Sequence, residues 1–124
     1  MRHRDDETRG EHHVHWIEEY CLYPSGPDKG KRVVLTPAQR AVIYSIYDHP
    51  DGPQQLPVTG PLAAYLALLH VCGPEGKQHD FRPDVSSDIF TVWGAVSPEL
   101  RQVLKLDAGT VVCPALGTRY PVAA

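Results

Sequence analysis

The sequence predicts a mainly α fold: a small helical domain with a central apolar helix and a short C-terminal β-hairpin. Three observations support this prediction. Residues 33–48 (VVLTPAQRAVIYSIYD) carry strong helix-start signals, and residues 62–72 (LAAYLALLHVC) are apolar on nearly every side. Residues 110–122 hold two short runs of strand-forming residues separated by a turn. At 124 residues, the chain is long enough to bury one core.

The first part of the chain differs in composition from the rest. Residues 1–13 carry mixed charge with no apolar period, so we expect a disordered charged arm there, with a frayed helix start as the alternative. Residues 14–124 are expected to form a single globular domain. Apolar residues recur at helical spacing from His13 to Leu22, which predicts a short amphipathic helix. The composition of Pro24–Lys31 is typical of a turn-rich loop.

The next helix has the best-marked start in the sequence. Thr36 is a suitable N-cap, and Pro37 at the first helical position loses no needed donor. Gln39 stands at the third helical position, from which its side chain can reach back to the Thr36 backbone N–H in a capping box. The prolines of His49–Pro53 then end the helix.

The central helix is predicted over Leu62–Cys72, opened by Thr59-Gly60-Pro61 and capped by Gly73. A helix that is apolar nearly all round is normally the buried centre of a domain. The sequence therefore places the core around this segment.

The C-terminal third is predicted to contain short elements. Ser87-Asp88 favours a helix through Ala95, although the strand-forming residues between them leave a strand as the alternative. A further helix is expected from Ser97 to about Lys105, burying Leu100, Val103 and Leu104. Thr110–Cys113 and Gly117–Val122 are then expected to pair as the hairpin.

Composition narrows the classes of partner and compartment. The net charge of -3 argues against bulk binding to nucleic acid or to an anionic membrane. No apolar run reaches the roughly 20 residues of a membrane-spanning helix, and the charged N-terminus lacks a signal-peptide pattern. The odd count of three cysteines suggests free thiols. These features predict a soluble cytoplasmic protein.

Motifs for catalysis and metal binding are missing from the sequence. Several histidines lie near the N-terminus, but the sequence contains no CxxC or HxxxH motif. A His/Cys metal site is therefore only a remote alternative. There is no GxSxG elbow, and Gly73–Lys77 follows a helix and lacks the Lys-Ser/Thr pair of a phosphate-binding loop. We therefore expect no enzyme activity and no cofactor.

A local group of cations lies beside the best-marked helix. It consists of Lys29, Lys31, Arg32 and Arg40. Such a group suits nucleic-acid contact, but without interleaved aromatic residues it is more often a solvated face. We expect a protein partner, with nucleic acid as the second class through this basic loop and no membrane partner.

Residues 15–48 (HWIEEYCLYPSGPDKGKRVVLTPAQRAVIYSIYD) resemble the N-terminal stretch of phage terminase large subunits. That family shows a short helix, a Pro/Gly loop, an L-x-P-x-Q segment and a helix ending near I-Y/F-D. The matching positions here are Trp16, Ile17, Glu18, Tyr20, Cys21, Pro24, Gly26, Gly30, Leu35, Pro37, Gln39, Ile46, Tyr47 and Asp48.

The resemblance implies a role for Gln39, because the corresponding Gln in the family reads adenine ahead of an ATPase core. The capping box gives Gln39 an alternative role, as a helix cap, that does not require a nucleotide. The rest of the ATPase pattern is absent, since neither Walker motif nor the nuclease carboxylates follow.

The function hypothesis is a non-catalytic, phage- or prophage-derived accessory or interaction protein with a terminase-like N-terminal module, linked to DNA packaging. The alternative is a small helical adaptor unrelated to packaging. A terminase-like module should place Gln39 and the basic loop on one open surface. An adaptor should show Gln39 folded back on Thr36 and an apolar patch elsewhere.

Overall fold

The computed structural model describes residues 8–72, 84–107 and 109–121. The helices in these ranges are α1 (Arg9–Tyr20), α2 (Pro37–Tyr47), α3 (Gly60–Cys72), α4 (Ile89–Gly94) and α5 (Pro98–Arg101). The strands are β1 (Val58–Thr59), β2 (Val85–Ser86), β3 (Lys105–Asp107), β4 (Thr110–Cys113) and β5 (Thr118–Pro121). Within this part of the chain, no helix has the length and apolarity needed to cross a membrane.

Two small sheets accompany the helices. β1 and β2, which precede and follow α3 in the chain, pair in parallel. β3, β4 and β5 form an antiparallel sheet in chain order. The fold is therefore mixed α and β rather than mainly α. The sequence did not reveal β1 and β2 because a two-residue strand is too short to show alternation.

The predicted central helix is confirmed. Every residue from Leu62 to Val71 is buried, and α3 contacts α1, α4 and strands of both sheets. Ala63, Ala64 and Ala67 are almost completely buried, so neighbouring elements approach this helix closely. The predicted cap at Gly73 lies outside the described residues.

Helix α1 begins earlier than the sequence predicted. Thr8 caps it by accepting a hydrogen bond from the Glu11 backbone N–H at 3.2 Å, and the Glu11 carboxylate accepts from the Thr8 N–H at 3.1 Å. This capping box makes residues 9–13 helical, which corrects the predicted arm there. Apolar periodicity did not indicate this first turn of α1, because its residues are mostly charged or polar. Residues 1–7 lie outside the described ranges.

The Asp48 carboxylate joins the end of α2 to the start of α1. It accepts hydrogen bonds from the Thr8 hydroxyl and from the Gly10 backbone N–H, both at 2.8 Å. A carboxylate is favourable at a helix N-terminus because it satisfies unpaired N–H groups and complements the helix dipole. Gly10 leaves room for this contact, since an added Cβ would lie 2.6 Å from Asp48 Oδ2.

The C-terminal elements follow the predictions in part. α4 is a helix capped by Asp88, and β4 and β5 form the predicted hairpin. The helix predicted to reach Lys105 ends at Arg101, and Val103 is 44% exposed, so its predicted burial is wrong. Lys105–Asp107 instead forms β3, because pairing with β4 satisfies its backbone.

His13 is completely buried against the ring of Tyr47, with their ring centroids 4.4 Å apart. Burial, together with the positive charge of Arg9, lowers the pKa of His13 to about 3. The imidazole is therefore neutral in the folded protein at neutral pH.

We expect Gly10→Ala to lower the free energy of unfolding by about 1–3 kcal/mol, because the new methyl group overlaps Asp48 and the Tyr44 ring. Urea denaturation measures the change. Ser45→Ala, at an exposed position of α2, is the control and should stay within about 0.5 kcal/mol. Stabilisation by Gly10→Ala, as helix propensity alone predicts, would contradict this packing argument.

We expect acid to destabilise the protein through His13. Below pH 6.5 the unfolded chain takes up a proton on this residue that the folded chain does not bind, so stability falls as pH falls towards 3. The largest slope is about 1.4 kcal/mol per pH unit. Urea denaturation at pH 7, 6 and 5 should show a flatter dependence in His13→Leu. Parallel profiles for the two proteins would refute the assignment.

Candidate functional site

Gln39 is folded back on the start of its own helix. Its side-chain oxygen accepts a hydrogen bond from the Thr36 backbone N–H at 2.9 Å, and its own N–H donates to the Thr36 hydroxyl at 3.1 Å. The predicted capping box is therefore confirmed. This is one of the two features expected of an adaptor, while adenine reading by Gln39 stays a prediction.

Arg40 takes part in a hydrogen-bonded ion pair that links α1 to α2. Its guanidinium lies 3.1 Å from the Glu18 carboxylate, and the same carboxylate oxygen accepts from the Leu35 backbone N–H at 2.9 Å. Glu18 thereby holds the segment that leads into α2. The charge of Arg40 is paired within the protein rather than presented to a ligand.

Arg32 is also used internally. Its guanidinium donates to the carbonyl oxygen of Glu19 and contacts the Glu99 carboxylate at 2.7 Å. The hydrogen bond from Arg32 lowers the pKa of Glu99. These contacts tie the end of the Pro/Gly loop to the C-terminus of α1 and to α5.

Lys29 and Lys31 are exposed, as is Arg32. The two lysines lie in a turn where Gly26 and Gly30 adopt positive φ angles of 83° and 86°, which glycine tolerates best. Lys31 is 3.5 Å from Asp28, but both side chains are largely exposed, so the pair contributes little. Arg32, Gln39 and Arg40 thus make close hydrogen bonds within the protein, while Lys31 has a weak surface ion pair.

A cleft that the sequence did not predict lies where β1 and β2 meet α3 and α4. It has a volume of about 470 Å³ and is lined by Ser25, Gly60, Pro61, Ser86, Ser87, Asp88 and Thr91. Asp88 caps α4 by accepting from the Thr91 N–H at 2.8 Å, and this bond lowers the pKa of Asp88. The sequence pairs Gly60-Pro61 and Ser87-Asp88 indicated the starts of α3 and α4. They did not indicate that these two helix starts lie close together.

At this cleft β1 passes directly into α3. The strand ends at Thr59, and Gly60 is the first helical residue, with φ of +71°. Pro61 has no backbone N–H to offer a ligand. The junction therefore lacks a loop of N–H groups that could surround a phosphate.

The cysteines and histidines offer no reactive centre in the described residues. All three cysteines are free, as predicted, and burial raises the pKa of Cys72 to about 12 and that of Cys21 further above its usual range. A thiol with a raised pKa is a poor nucleophile at neutral pH. Across residues 8–72, 84–107 and 109–121, no group of His, Cys, Asp and Glu side chains is arranged to hold a metal ion.

Comparison with known proteins identifies one kind of relative. No protein-family model matches the chain. Over 80 residues it is 35% identical to the terminase large subunit of Enterobacteria phage HK97, a match covering 58% of this chain and 16% of that protein. The terminase resemblance is confirmed.

The crystal structure of the HK97 large terminase shares the fold. It superposes with a TM-score of 0.67 at 19% sequence identity, covering 94% of this chain and 27% of that one. The chain thus spans under a third of the length of the terminase that it matches.

Most residues of the terminase-like motif have structural roles in this chain. Ile17 and Cys21 are completely buried, and Glu18 and Asp48 make the polar ties around α1 and α2. Gln39 caps α2. These five residues of the motif therefore have roles in the fold that do not require a ligand.

We expect Gln39→Ala to lower the free energy of unfolding by about 1 kcal/mol through loss of the capping box. Gln39→Glu keeps the acceptor oxygen and adds a favourable charge at the helix N-terminus, so it should preserve stability. Thermal unfolding followed by circular dichroism compares the two variants. Equal loss of stability in both would argue against the cap.

Proposed function

We propose that this chain is a terminase-like module of phage origin that serves DNA packaging as a non-catalytic accessory or interaction protein. The similarity to the HK97 terminase large subunit supports the link to packaging. Its partners are other proteins of that process.

The junction of β1 and α3 is the observation that carries the non-catalytic part of this proposal. A phosphate-binding loop presents several backbone N–H groups between strand and helix, followed by Lys and Ser or Thr. Here the helix begins immediately after Thr59, and its next residues are Pro61 and the buried Leu62. Gly60, Pro61 and Leu62 supply neither a cation nor a hydroxyl group for a nucleotide phosphate.

The polar residues of the predicted site support the same proposal. Arg32 and Arg40 already neutralise carboxylates of the protein, and Gln39 is engaged with Thr36. DNA binding draws its affinity from cations that neutralise phosphates. Lys29 and Lys31 remain for this role, and Asp28, which precedes Lys29 in the sequence, lies 3.5 Å from Lys31.

The second candidate is a small adaptor unrelated to packaging, favoured by the Gln39 cap itself. The two candidates differ in the partner that they bind. A packaging accessory should bind another packaging protein, and the HK97 large terminase is a suitable first probe. Absence of binding to packaging proteins would favour the adaptor.

We expect no binding of Mg-ATP or of a short DNA duplex by the wild-type chain up to about 1 mM ligand, which corresponds to less than about 4 kcal/mol of binding free energy. Isothermal titration calorimetry measures both ligands, with an active P-loop ATPase as the positive control. Saturable ATP binding that is lost in Gln39→Ala but kept in Ser45→Ala would overturn the proposal and assign adenine reading to Gln39.

A further inference from the structure

Strand β3 lies at the edge of the antiparallel sheet. It pairs with β4 on one side, and no other strand of the described residues pairs with its second side. Lys105, Leu106 and Asp107 are all exposed, with Leu106 exposed to 44%. An edge strand offers unpaired backbone groups to another strand.

The hairpin register fixes which backbone groups face outward. Asp107 is opposite Thr110, with only two positions between them, so this closing pair exchanges the hydrogen bonds of the turn. Hydrogen-bonded and non-hydrogen-bonded pairs alternate along an antiparallel ladder. Leu106, opposite Val111, is therefore a non-hydrogen-bonded position, and its N–H and C=O point away from β4.

The sequence of β3 is complementary to itself in the antiparallel direction. When Lys105-Leu106-Asp107 is set against a second copy with Leu106 on the two-fold axis, each Lys105 lies opposite an Asp107. The two Leu106 residues then exchange both of their outward hydrogen bonds. Opposite charges facing each other across strands stabilise the pairing, and like charges oppose it.

We propose that β3 is a self-association edge, through which two copies of this chain pair their sheets about a two-fold axis. This geometry is isologous, so the same three residues serve both copies and the assembly closes as a dimer. The Leu106 side chains meet on the face shared with Val111, where they extend the buried surface of each sheet. The proposal is independent of the function proposed above.

The size of the edge sets the expected affinity. A stable specific interface buries about 1,200–2,000 Å², and a three-residue strand supplies less than this. We therefore expect a weak dimer, with a dissociation constant between about 10 µM and 1 mM. A short charged edge also discourages open-ended aggregation, which agrees with a closed pair rather than a fibre.

Sedimentation equilibrium of the full chain over this concentration range tests the proposal. Lys105→Asp and Asp107→Lys each bring like charges together and should weaken association about tenfold. The double variant restores opposite charges and should recover wild-type association. Lys29→Asp changes the net charge as much as Lys105→Asp does, but lies in the Pro/Gly loop and should leave association unchanged.

Leu106→Pro tests the backbone directly. Proline removes the outward N–H, which β4 does not use, so the monomer should fold and the dimer should be lost. Circular dichroism checks folding, and the charge variants decide the outcome if this variant does not fold. A wild-type chain that is monomeric throughout, or a double variant that fails to recover association, would overturn the proposal.

Discussion

The fold depends on covering a helix that has no polar face. All residues from Leu62 to Val71 are buried, so α3 cannot lie on the surface and must be surrounded by other elements. α1, α4 and strands of both sheets provide that cover, and the small size of Ala63, Ala64 and Ala67 lets them approach closely. The short outer elements gain their stability from this packing, because two-residue strands and six-residue helices are too short to persist alone.

Hydrogen bonds and ion pairs between the elements position them around that core. Asp48 joins the start of α1 to the end of α2, Glu18 joins α1 to the entry of α2, and Arg32 joins the Pro/Gly loop to α5. Each contact satisfies backbone N–H or C=O groups that would otherwise lack partners at helix ends and loops. The residues that looked most suited to ligand binding therefore also hold the loop and the helix ends in place.

These internal contacts support the proposal that the terminase-like motif serves the fold of this chain rather than a nucleotide site. The arrangement of α1, loop and α2 needs Gln39, Glu18 and Asp48 for its own geometry, whichever chemistry follows in the chain. The residues at the junction between β1 and α3 determine which groups would contact a ligand there. They are a proline and the start of an apolar helix. The fold shared with the HK97 large terminase does not by itself determine the function of this chain.

The sequence by itself determined the features that depend on neighbouring residues: the capping box at Thr36 and Gln39, the buried central helix and the β4–β5 hairpin. These follow from local hydrogen bonding and apolar periodicity, which a sequence displays directly. Only the tertiary structure decided that Arg32 and Arg40 pair with distant carboxylates and that β1 lies beside β2. Such contacts join residues that are far apart in the chain. Neither the spacing of charges nor a two-residue strand in the sequence indicates which distant residue will be the partner, because tertiary packing determines it.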